Sequence, residues 1–115
     1  MAPGPRRIVV GYDGSEGATR ALTAAADLVG YGSTLAVVTV HAGEIDDSKG
    51  AGARELLQRR HVTARYHDAR GDASERLVEK ARELDADLLV IGRQHHEVTS
   101  SRVVGSASCD VLVVR

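Results

Sequence analysis

The stretch Arg6–Ser15, RRIVVGYDGS, decides how the rest of the chain is read. Ile8, Val9 and Val10 form an unbroken apolar run, the pattern of a strand buried on both faces of a sheet. Gly11, Asp13, Gly14 and Ser15 follow at once and lead into an alanine-rich stretch, so the strand turns tightly into a helix. Such a strand belongs at the centre of a parallel sheet. In open sheets of this kind ligands dock beyond the carboxyl ends of the strands, where successive connections diverge to opposite faces. Asp13 stands at that end.

The alternation continues outward from there. Ser15 caps a first helix in which Ala18, Ala21, Leu22, Ala25, Leu28 and Val29 recur at helical spacing until Gly30. Thr34–Val40, TLAVVTV, is a second buried strand beside the first. Ala42–Gly52, AGEIDDSKGAG, has no periodicity and reads as a mobile surface loop, followed by a short helix over about 53–60 anchored by Leu56 and Leu57. Val62, Ala64 and Tyr66 alternate with Thr63, Arg65 and His67, which predicts a strand wet on one face, hence an edge. Asp72 and Glu75 open the best-marked helix, with Leu77, Val78, Ala81 and Leu84 as its apolar stripe. Leu88–Ile91, closed by Gly92, is a buried strand, a helix spans about 99–107, and Val111–Val114 is the last strand. Strict alternation predicts an α/β domain over residues 1–115, a doubly wound open sheet of five parallel strands with helices on both faces.

The totals narrow the function. With 115 residues, one domain is expected, and Lys+Arg 15 against Asp+Glu 16 gives a charge of -1, so no global field draws the chain to nucleic acid or an anionic membrane. Tyr12, Tyr31 and Tyr66 are the only aromatics, too few for stacking on single-stranded nucleic acid. The lone Cys109 reads as a small hydrophobe in a reducing cytoplasm, and no apolar run predicts a signal or a membrane span.

Three stretches, IVVGYDGSEGATRALTAAADL, GDASERLVEKARELDADLLVIG and SCDVLVVR, resemble the universal stress proteins. The resemblance implies an adenine nucleotide alpha hydrolase-like fold with strand order 3-2-1-4-5, and dimers paired through the last strand. Many members bind ATP through glycine, two residues, glycine, nine residues, then glycine followed by Ser or Thr, a loop whose bare backbone closes on phosphate. Gly92 and Gly105-Ser106 match the outer positions, and His95 stands at the middle one.

Counting residues argues against a phosphate turn at Gly105. Only Ala107, Ser108, Cys109 and Asp110 would remain before the last strand, too few for a helix. The eighteen residues 93–110 hold a crossover of about a dozen, but not a long glycine loop as well. SSRVVGSASCDVLVV therefore aligns with the family's last helix and strand, with Gly105 inside the helix at about 1 kcal/mol relative to Ala. With its loop reduced to RQHHEVTSS, the chain is similar to the branch typified by universal stress protein A, which lacks the glycine loop.

The expectation is a non-enzymatic, cytoplasmic, dimeric regulator of the stress response, without a cofactor, that acts on protein partners. The alternative is an ATP- or AMP-binding member in which, by resemblance, Asp13 faces adenine, Val40 lies against the base, and Gly92 and Arg93 complete the site; slow hydrolysis would be compatible with it. Asp13 as a turn-former and Val40 as core remain the competing readings. Asp13 has no cluster of acids around it for a phosphoacceptor role, and no nucleophile–base pair can be assembled. His95 and His96 are adjacent and lack further ligands at familiar spacing, so no metal is expected. Thr99, Ser100 and Ser101 suit either phosphorylation or helix capping. Val111, Leu112, Val113 and Val114 form a bare apolar edge that invites pairing with a second copy.

Overall fold

A computed structural model describes residues 7–93 and 97–115. Its strands are β1 (Arg7–Gly11), β2 (Thr34–His41), β3 (Arg65–Arg70), β4 (Leu88–Gly92) and β5 (Asp110–Val114), and its helices are α1 (Glu16–Leu28), α2 (Ala51–Arg59), α3 (Ala73–Glu83) and α4 (Glu97–Ser106). All pairings are parallel, in the order β3-β2-β1-β4-β5. The apolar run of β1 is central, with Val10 level with Val37 on one side and Val90 on the other.

Because successive strand residues point to opposite faces, each apolar run feeds two cores. Ile8, Val10, Leu35 and Val37 pack against Ala18, Ala21, Leu22 and Ala25 of α1 and Ala53 and Leu57 of α2. Val9, Val38 and Ile91 pack against Leu77, Val78 and Ala81 of α3 and Val103 of α4. Aliphatic side chains do nearly all of this. Fully buried residues such as Leu22 and Leu57 each contribute about 1.5–3 kcal/mol. Outside the core, Arg60 of the α2 end pairs with Asp27 of α1, and Arg54 of α2 lies 4.0 Å over the ring of Tyr66 on β3.

The helix starts follow their capping residues. Ser15 Oγ accepts from Ala18 N–H at 3.1 Å. The Asp72 carboxylate accepts from Glu75 N–H at 3.1 Å and from the Ser74 hydroxyl, and these bonds hold its carboxyl below the usual range.

Two stretches differ from their sequence reading. The strand expected at 62–67 begins at Arg65 and runs to Arg70. Its alternation was correctly phased, since Val62, Ala64 and Tyr66 do pack on the α1/α2 core, but residues 62–64 form a connector. The chain leaves α2 through His61 at φ 56, and Val62 N–H is held by the Leu57 carbonyl at 2.9 Å. Pairing with β2 then starts at Arg65 and lasts as long as β2 does, to His41 opposite Arg70. The second difference is Ala42–Gly52, which is not featureless. It holds one 3-10 turn, Asp47–Gly50, and α2 begins at Ala51.

The return path into the last strand matches the count. The helix α4 occupies it, and Gly105 lies inside that helix with no atom within 4 Å of where a Cβ would stand. His95 and His96 lie outside the described residues. Gly92 is different. A Cβ there would come within 2.3 Å of the Gly17 carbonyl oxygen, so the end of β4 and the first turn of α1 touch backbone to backbone.

These contacts predict opposite outcomes for two alanines. Gly92→Ala should destabilise by about 1–3 kcal/mol through overpacking, whereas Gly105→Ala should stabilise by about 1 kcal/mol, both read by urea unfolding. The lowered carboxyl of Asp72 predicts an acid effect. Ionised Asp72 stabilises the fold above its unfolded value, about pH 4, and that contribution is lost as pH falls through its lower folded value. Melting curves taken downward from about pH 6 should therefore fall more steeply in the wild type than in Asp72→Asn.

Candidate functional site

The carboxyl ends of β1, β2 and β4 open a cavity of about 190 Å³ on the side of the sheet covered by α3 and α4. Its walls are Val38 and Val40 of β2, Leu77 of α3 and Ile91 of β4, with Ala42 and Ala73 leaving room between them and the backbone of Gly92 at the margin. Among the described residues, the polar side chains at the cavity are those of Tyr12, Asp13, Lys49 and Ser100. An apolar slot with few polar groups is the usual form of a small-molecule site, but the volume is below the roughly 300–1,000 Å³ of a drug-sized pocket. The slot suits a planar ring, with any attached polar group lying out over the rim.

The structure brings Asp13, Val40 and Gly92 together around this one cavity. Asp13 Oδ1 accepts from Ser15 N–H at 2.9 Å, and Gly14 between them takes φ 86, so the turn-forming reading of Asp13 is realised. Val40 is half-buried; it packs on the α3/α4 core and lines the cavity as well. Arg93 is set apart. Its N–H donates to the Val114 carbonyl at 2.7 Å, and its side chain lines a shallower hollow of about 420 Å³ with Ser100, Ser101, Val113 and Arg115. Ser100 borders both spaces, Ser101 is exposed, and the side chain of Thr99 lies outside the described residues.

Sequence reading missed further residues that line the cavity. Tyr12 is buried with its hydroxyl against α2, where a Cβ on Gly52 would stand 2.6 Å from it. Lys49 arrives on the 3-10 turn that the loop reading did not foresee. That turn is tied to a histidine also missed, His41, which is 2% exposed. Its Nδ1 faces the Asp46 backbone N–H at 3.3 Å, and its Nε2 lies 2.7 Å from Asp68 Oδ1. A backbone N–H can only donate, so Nδ1 is the acceptor and the ring proton sits on Nε2, pointing at the carboxylate. Asp46 then caps the turn, accepting from Ser48 N–H at 3.0 Å and Ser48 Oγ at 2.7 Å, bonds that hold its carboxyl below the ordinary range. The available signal was a polar residue closing the apolar run TLAVVTVH.

At the far side of the sheet, among the described residues, β5 pairs only with β4. Val111, Val113 and Val114 are half-buried and Leu112 is exposed. Cys109, just before this strand, is half-buried, and burial together with Asp110 pushes its thiol up. Among the described residues, no three His, Cys, Asp or Glu side chains gather as a metal site, and no helix is long and apolar enough to cross a membrane.

Comparison with known proteins fits this geometry. A universal stress protein solved in complex with cAMP is 24% identical, covers 97% of this chain and 98% of its own, and superposes with a TM-score of 0.86. The universal stress protein UspA from Lactobacillus plantarum is 20% identical over 96% of this chain and 97% of its own, with a TM-score of 0.76. A universal stress protein family protein from Arabidopsis thaliana with AMP bound is 14% identical over 96% and 90%, with a TM-score of 0.74. At these identities the likeness is one of fold. No curated protein matches the sequence significantly. The family description "Universal stress protein family" matches residues 4–64 and 42–115, nearly the whole length, and the chain belongs to that family.

Proposed function

We propose that this chain is a non-enzymatic universal stress protein that binds an adenine mononucleotide in the cavity beside Asp13, and that it works in the cytoplasm as a homodimer. The observation that carries the reading is the apolar slot itself. A member with no ligand would be expected to fill the carboxyl ends of β1, β2 and β4 with side chains, and here Ala42 and Ala73 leave them open. The alternative raised by the sequence, nucleotide binding, is therefore favoured over a chain without a cofactor. It is also supported by two relatives of the same fold, one in complex with cAMP and one with AMP bound.

In this reading Val40, Leu77 and Ile91 sandwich the base, and Asp13 borders its edge. A monophosphate is favoured over ATP because Gly105, the last glycine of the phosphate motif, is used inside α4. The chain then belongs with the members that lack the glycine loop. Catalysis is not part of the proposal, since the carboxylate of Asp13 is engaged in its own turn. Dimerisation uses β5, whose outer edge presents Leu112.

Calorimetric titration tests the ligand. AMP should bind saturably to the wild type, and Asp13→Ala or Ala73→Leu, which narrows the slot, should weaken it about tenfold or more, ~1.4 kcal/mol. No saturable binding of AMP, cAMP or ATP would overturn the reading. Light scattering tests the assembly: the wild type should have the mass of two chains, and Leu112→Lys on the outer edge should return it to one.

A further inference from the structure

We propose that Lys49, on the short turn between β2 and α2, is the phosphate-binding residue of this chain, the part that stands in for the missing glycine loop. The inference rests on the reading of the cavity as a nucleotide site. It begins from size and charge. A slot of about 190 Å³ takes the base but not the phosphate, so the anionic end of the ligand must lie at the rim. Of the described residues lining the cavity, Lys49 alone is a lysine or arginine, and Asp13, the one acid among them, would repel phosphate from its own side. An ammonium is a compact, strongly hydrated charge and binds phosphate well without fixed orientation.

The backbone around Lys49 supports the role. A lysine on a free loop would lose much side-chain and backbone entropy on binding, but this one is carried on an anchored turn. Lys49 N–H is held by the Asp46 carbonyl at 3.1 Å, and Asp46 N–H by His41 Nδ1 at 3.3 Å. His41 is in turn buried against Asp68. The Lys49 carbonyl reaches to 3.9 Å of where a Cβ on Gly14 would stand, so the turn lies directly over the β1–α1 connection that bears Asp13. The backbone of Lys49 is thereby held beside the cavity, which Ser100 of α4 also lines, and the buried His41–Asp68 pair acts as the positioning group for the turn.

The test compares AMP with adenosine on the full chain, because only AMP has the charge that Lys49 would read. The wild type should bind AMP about tenfold more tightly than adenosine, a preference that declines with salt. Lys49→Gln should bring AMP down to the level of adenosine while adenosine is unchanged, and Lys49→Arg should keep most of the preference. If Lys49→Gln leaves the ratio of AMP to adenosine where it was, the assignment of Lys49 is overturned and the nucleotide site stands. If the wild type binds neither ligand, the assignment falls together with the site.

Discussion

The carboxyl end of this sheet depends on one contact between two backbones. Gly92 ends β4 against the first turn of α1, so close that even a methyl group would meet the Gly17 carbonyl at 2.3 Å. Gly17 has little more room, since a Cβ there would stand 3.0 Å from the Arg93 carbonyl. This mutual approach seats α1 over β1 and β4 on one face and leaves the other face to α3 and α4. Between β1 and β4 the connections diverge, and the cavity opens there, as expected of a doubly wound sheet. A consequence is that Gly92 has a structural reason to be glycine. Its resemblance to the first glycine of a phosphate motif is explained by helix packing without any ligand.

The fold was legible because the features that determine it are periodic and local. Ile8–Val10, followed at once by turn residues, suited a strand buried on both faces, and Ser15 and Asp72 announced their helices by the chemistry of their side chains. The helix before β5 was read from the residues after Glu97, and the count of residues 93–110 left no room for a long glycine loop beside it. Val62 and Ala64 show where such reasoning stops. Their alternation was real and their burial was as expected, yet whether they pair depends on how far β2 extends and where α2 releases the chain. Neither is encoded in the alternation.

The site divides along the same line. Asp13, Val40 and Gly92, which the family resemblance named, come together around one cavity because they sit at strand ends. Lys49 is not legible in the same way, because nothing in AGEIDDSKGAG has a period and its turn is held by Asp46 N–H donating to His41 and Lys49 N–H donating to the Asp46 carbonyl. A buried histidine at the end of an apolar run is the clue worth following in such chains, because burial obliges both ring nitrogens to find partners, and those partners fix the neighbouring loop.

The two margins of the sheet are chemically unlike. β3 shows solvent Arg65, Asp68 and Arg70, whereas β5 shows Leu112 between half-buried valines. A ribbon of strands can lengthen indefinitely only if both margins accept newcomers. Here hydrated charges guard one side, so if two copies met along the apolar side every remaining border would be charged. Growth would then end at a pair, and the same asymmetry would protect the sheet from becoming a fibre.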